Sequence, residues 1–349
     1  MVYDGHMPGP ARKQASMRVS HHFPVAIILA VAGFVAATAS SPVALASPAA
    51  SRLHTARAAP HVTATIPVGT QPGQIAVDPR TGKIYVANVG SGTVSVISGR
   101  TNKVTATISG FTTPAGVAAD PRTGRVYVSG YGSGDTVAVI SERTDKVIAT
   151  ISACCGVIAV NPRTNTIYLA GGSALVVISG RTDKAVATVS NLVSVSGVAV
   201  NPRTSRIFVS EGDNDAVAMI RGDTNKVIAR TFLGDFETTD VAVNPRTNRA
   251  YVSVLDNIVW VISGRTDKAT VPELPAGTGA SGVAVDPRTN RIYVANPYDN
   301  TVTVDNGRTG QAVTTVPVAD FPVAVAADPV TGRVYVADQS NNTVSVIAP

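Results

Sequence analysis

A chain of 349 residues with 44% hydrophobic and only 15% charged side chains is globular in composition and long enough to bury a large core. Its formal charge of +6 gathers at the start: residues 1–60 hold five of the 29 basic residues and one of the 23 acidic ones, leaving 24 against 22. So even a balance lacks the strongly basic surface on which nucleic-acid binding rests, and no nucleic-acid partner is expected.

The first segment reads as a targeting sequence. Arg12, Lys13 and Arg18 precede an apolar run from Pro24 to Ala37, and Ala44-Leu45-Ala46 offers the A-x-A pattern of a signal-peptidase site. Residues 1–46 are therefore expected to be a signal peptide and the protein to be secreted, touching the membrane only through this transient leader. The run falls short of the ~20 apolar residues of a spanning helix. Residues 47–60 have the composition of a disordered linker.

From residue 61 onward the chain repeats. Asp/Asn-Pro-Arg-Thr begins at Asp78, Asp120, Asn161, Asn201, Asn244, Asp286 and Asp328, with Val330 replacing Arg in the last, at spacings of 42, 41, 40, 43, 42 and 42 residues. Each copy runs apolar strand, D/N-P-R-T turn, strand with Tyr-Val, polar loop, strand with Val-x-Val-Ile, G-R-T-N/D-K turn and a fourth strand. Four short strands at this period predict a propeller blade. Asp or Asn suits the first position of such a turn, and Pro presets φ at the second. The last copy stops after its third strand, at Val344-Ser345-Val346-Ile347. Val62-Thr63-Ala64-Thr65-Ile66 repeats Val104-Thr105-Ala106-Thr107-Ile108 letter for letter, so the opening strand is predicted to complete the last blade. The expected fold is an all-β, seven-bladed propeller over residues 61–349, four antiparallel strands to a blade.

The Tyr-Val segments, such as Ile84–Asn88, Ile292–Asn296 and Val334–Asp338, resemble the YVTN-type repeat family of YncE-like and surface-layer-associated exported propellers. The resemblance covers about residues 61–349. It implies a seven-bladed propeller outside the cytoplasm and names no ligand, because one fold serves many chemistries.

All five histidines, His6, His21, His22, His54 and His61, lie at or before the opening strand. The repeats therefore supply no Ser-His-Asp triad and no histidine-rich metal site. Trp260 stands alone, which does not fit repeats that carry a tryptophan in every blade. Cys154 and Cys155 are adjacent, and a vicinal disulfide and two thiols in a turn are both open. Arg221-Gly222-Asp223 spells an adhesion tripeptide but reads as a register variant of the repeated turn.

Alternate loops of a propeller lie on opposite faces. The two repeated turns bring Arg80, Arg100, Arg122, Arg143 and their counterparts to one of them, the turn face. The other, the connecting face, collects carboxylates: Asp135, Glu211, Asp213, Asp215, Asp235, Glu237, Asp240, Asp256, Asp299, Asp320 and Asp338. Glu211, Asp213, Asp215, Asp235, Glu237, Asp240 and Asp256 form a candidate cation site, with calcium as the cofactor that irregular carboxylate loops would hold. The loop aromatics Phe111, Tyr131, Phe236, Tyr298 and Phe321 are candidate ligand contacts. The functional expectation is a monomeric, non-catalytic binding or scaffold propeller for a protein, cell-wall or cationic partner. A metal-assisted hydrolase of the calcium-dependent lactonase kind is the alternative. Mass spectrometry of exported material is expected to find an N-terminus near Ser47; an intact leader in a membrane fraction would favour an anchor instead.

Overall fold

The computed structural model describes residues 59–130, 136–153 and 156–349. The proposed leader, most of the linker, Tyr131, Asp135 and the Cys154-Cys155 pair lie outside the described residues.

Seven four-stranded antiparallel sheets follow one another along the chain. Blade 1 is Pro72–Asp78, Lys83–Asn88, Thr93–Ser98 and Lys103–Ser109, running from the axis outward. Blades 2 to 6 repeat it over residues 114–152, 157–189, 195–232, 238–275 and 283–317. Blade 7 takes three strands from the chain's end, Pro322–Ala327, Val334–Asp338 and Thr343–Ala348. Its fourth is the opening strand His61–Pro67, as the matching segments predict. The innermost strands touch round the ring, Pro72–Asp78 meeting both Pro114–Asp120 and Pro322–Ala327.

The turns form for local reasons. In every copy the Asp or Asn that opens D/N-P-R-T accepts the amide two residues on. Asp78 Oδ1 takes Arg80 N–H at 2.7 Å, and Asp328 Oδ1 takes Val330 N–H at 2.9 Å although Arg is missing there. The second turn needs one residue in the left-handed region, which Asn102, Asp145, Asp183, Asn225, Asp267 and Gly310 occupy with φ between 52° and 74°. Asn, Asp and Gly bear that conformation at least cost, hence the N/D variation in the motif.

The two middle strands of a blade alternate between two blade-to-blade seams, and both seams are apolar. In blade 1, Ile84 and Val86 point back to blade 7 while Tyr85 and Ala87 point on to blade 2. The same position holds Tyr127, Tyr168, Phe208, Tyr251, Tyr293 and Tyr335, all at most 2% exposed. One core cluster therefore fills each of the seven seams. Burial of such side chains stabilises by roughly 1.5–3 kcal/mol apiece. The tyrosine also explains the glycine of G-R-T. A Cβ on Gly99 would lie 2.7 Å from the Tyr335 hydroxyl, and one on Gly307 would lie 2.6 Å from that of Tyr251.

The closing strand reproduces its template down to an irregularity. Opposite Val96 and Ile97 the outer strand carries one extra residue, Thr105, whose hydroxyl donates to Val96 O at 3.2 Å. Thr63 is the extra residue in the closing strand and donates to Val346 O at 3.1 Å. Ile66 enters the core between blades 7 and 1, and Val62 packs against the core between blades 6 and 7. Deleting residues 61–67 is expected to lower the melting temperature by roughly 10 °C or more, on the order of 5 kcal/mol at about 2 °C per kcal/mol. Circular dichroism melting checks it; a loss of only a degree or two would mean that this strand does not hold the ring.

Candidate functional site

The seven carboxylates expected to gather around a cation do not converge, and among the described residues no three His, Cys, Asp or Glu side chains form a group able to hold a metal ion. Glu211 is fully buried and already paired: Arg230 Nε donates to its Oε2 at 2.9 Å and Val193 N–H to its Oε1 at 3.1 Å. Arg230 comes from the outer strand of blade 4, so the connecting face does hold a cation that the loop sequences alone did not show. Asp240 lies within an innermost strand. Its Oδ1 accepts Val241 N–H and its Oδ2 accepts Val283 N–H of blade 6 at 3.1 Å, tying two blades together. Burial pushes its pKa up to about 7 against the pull of those two amides. Asp215 closes a short 3-10 turn, Gly212–Asn214, and Asp213, Asp235, Glu237 and Asp256 project into solvent. Asp338 is buried as well. Its Oδ2 accepts the Thr343 and Ser345 hydroxyls, as Asn88 and Asn296 bind the matching Thr and Ser or Thr of their own blades.

The aromatics divide too. Phe111 packs into the core between blades 1 and 2, and Phe236 is half-buried beside Gly234. Tyr298 and Phe321 come together, with ring centroids 5.9 Å apart at an interplanar angle of 74°. Tyr298 is 69% exposed and lies over Gly279, where a Cβ would meet its ring at 2.3 Å. The loops that carry the pair are held by side chains. Asn300 Oδ1 accepts Phe321 N–H at 2.9 Å, Asn341 Oδ1 accepts Asp320 N–H at 2.7 Å, and Asp299 Oδ2 accepts Thr278 N–H at 2.6 Å. Two preset aromatic rings thus stand beside two carboxylates, Asp299 and Asp320.

On the turn face the first residue of the second strand reaches across to the next blade in blades 1, 2, 4 and 5. Lys83 pairs with Asp145 at 2.8 Å, Arg125 with Asp183 at 3.0 Å, and Arg206 with Asp267. In blades 1 and 2 the arginine of D-P-R-T bridges as well: Arg80 Nε donates to Pro121 O at 2.8 Å, and Arg122 Nε donates to Pro162 O. Within the adhesion-like tripeptide, Arg221 and Asp223 pair with each other at 2.7 Å, leaving a closed turn.

Two buried acids stand where the repeat has none. Glu142 replaces the glycine of G-R-T and enters the seam between blades 1 and 2 beside Asp78, Arg80 and Tyr85. Arg80 Nη2 donates to Glu142 Oε2 at 2.9 Å and lies 3.6 Å from Asp78 Oδ2. Burial, then the neighbouring Asp78, pushes the Glu142 pKa up to about 8. Its Oε1 and Asp78 Oδ2 have no donor as carboxylates, and a proton retained on Glu142 supplies one. Burial and the charges of Glu142 and Asp145 raise the Tyr85 phenol in turn. Asp305 replaces the isoleucine found at Ile97, Ile140, Ile178, Ile220, Ile262 and Ile347. It is fully buried with both oxygens unpartnered, and burial raises its pKa to about 7. Neither was singled out from sequence, though both are plain departures from the aligned repeat.

Comparison with known proteins adds the fold and no chemistry. No family model matches the chain, and no curated protein sequence does. Solved structures that share the architecture are numerous. One is a chain of hydrazine synthase from Kuenenia stuttgartiensis, 20% identical, with a TM-score of 0.74 over 81% of this chain and 97% of that one. The protein is a seven-bladed propeller similar to that chain. At this identity the likeness carries no activity across.

Both raised carboxyls have a sign that can be checked. The unfolded chain gives up these protons near pH 4, the folded one only near 7 or 8, so folded stability falls as pH rises between those limits. Asp305→Ile is expected to raise the melting temperature by several degrees at pH 9 and by less at pH 5. Glu142→Gln, which keeps a donor and an acceptor, should show the same trend. Equal shifts at both pH values would mean that neither acid holds its proton in the fold.

Proposed function

We propose that the protein is an exported, non-catalytic binding propeller of the YVTN-repeat kind that takes a cationic segment of a partner protein on its connecting face. The observation that carries this reading is the contact of an exposed Tyr298 with a half-buried Phe321 beside Asp299 and Asp320. An aromatic face attracts a lysine or arginine side chain, by roughly 0.5–2 kcal/mol, and adjacent carboxylates add to the attraction. The loop carrying Phe321 is held before binding by the Asn300 and Asn341 side chains, and Tyr298 packs over Gly279, which limits the ordering cost of association. The leader-like segment and the Tyr-Val repeats support a location outside the cytoplasm. The scattering of the acidic loops moves the reading away from a calcium site and from a metal-assisted hydrolase.

Calorimetric titration of the full chain with a peptide alternating lysine and leucine tests it. Binding is expected to weaken about tenfold in Tyr298→Ala and to fall with salt, with a further loss in Asp299→Asn combined with Asp320→Asn. Binding that is absent, or that ignores all three substitutions, would overturn the assignment.

A further inference from the structure

We infer that the turn face carries a second binding site, a cleft at the seam between blades 7 and 1 built for an anionic saccharide unit. A cavity of about 950 Å³ opens there, lined by Arg80, Lys83, Arg100 and Arg333 against Asp145 and Asp328. Its size lies within the range of small-molecule sites, about 300–1,000 Å³, and far exceeds the needs of a bare oxyanion.

Two departures from the repeat coincide at this seam. In blades 1 and 2 the arginine of D-P-R-T reaches forward to the proline carbonyl of the next blade, Arg80 to Pro121 and Arg122 to Pro162. The seventh copy has Val330, which cannot make that bridge to Pro79. Pro79 and Val330 both line the cavity, and Val330 is 62% exposed. The second departure, shared with Arg249 of blade 5, is electrical. Lys83, Arg125 and Arg206 each meet an Asp in the following blade's turn. At the same place Arg333 faces the turn of Asn102, and its Nη1 donates to Gly99 O.

The charges that remain are therefore unequal. Both carboxylates are occupied: Asp145 by Lys83 at 2.8 Å, and Asp328 by Val330 N–H at 2.9 Å and the Thr331 hydroxyl at 2.7 Å. Arg80 is engaged with Glu142. Arg333 has no carboxylate, and Arg100 has no partner among the described residues. A guanidinium matches a carboxylate or phosphate in two-point geometry. Two such groups over a cavity with an exposed valine and several hydroxyls suit a sugar that carries one of those anions.

Titration calorimetry of the full chain with glucuronate and with glucose 6-phosphate decides it, with glucose and inorganic phosphate as comparison ligands. Both sugar anions are expected to bind and glucose is not. Asn102→Asp gives Arg333 the carboxylate that Lys83, Arg125 and Arg206 have, and Val330→Arg brings into the cleft the arginine of the other six copies. Both return the chain to its own repeat, so the fold should hold, and each should weaken binding tenfold or more. Arg100→Gln should do the same, while Arg265→Gln at another seam should change nothing. No binding of either sugar anion, or binding that survives Asn102→Asp and Val330→Arg, overturns the site. Inorganic phosphate binding as tightly as glucose 6-phosphate overturns the saccharide assignment.

Discussion

A sheet that is apolar on both faces cannot stop; it must be covered on each side by another like itself. Every blade here has that property, with Tyr85 and its counterparts on one face and Ile84, Val86 and theirs on the other. A linear stack would leave two greasy ends, and a ring leaves none. Closure is thus a condition for burying the first and last blades, and the strand His61–Pro67 satisfies it by completing a sheet whose first strand, Pro322–Ala327, lies at the far end of the chain. Because the sheets and their seams are spent on packing, chemistry is left to the turns and loops at the two faces.

The turns show how a conformational rule and an electrostatic one overlap on a single residue. The left-handed position of the second turn accepts Asn, Asp or Gly, so backbone geometry alone leaves the charge free. Packing across the seam then uses that freedom. Asp145, Asp183 and Asp267 each sit opposite a cation, whereas Asn102 and Gly310 leave Arg333 and Arg249 facing carbonyls. Uniform repetition gives a uniform rim; individuality arises where a copy departs from it. Glu142, Asp305, Asn102 and Val330 are such departures.

The architecture was legible because its signals are local and repeated. D/N-P-R-T marks each first turn, and the matching Val62–Ile66 and Val104–Ile108 segments announce the seam, down to the bulged threonine. The candidate site was less legible, because it depends on partners far apart in the chain. Glu211, Asp213 and Asp215 alternate invitingly in sequence. Whether Glu211 is free depends on Arg230 in an outer strand and on the Val193 amide. Asp240 reads as a loop acid and is in fact a strand residue bonded to the next blade. Tyr298 and Phe321 were both named, but their contact spans two blades, and only the ring places one beside the other.

The antiparallel seam strand has a mechanical side. His61 lies opposite Ala348, so the two ends of the described chain leave the disc from the same rung of one ladder. Tension drawn between those ends does not load all the rungs together. It parts them singly, from His61 and Ala348 toward Pro67 and Thr343, as a zipper opens. The strand that completes the ring in solution is by this geometry its weakest point under pull.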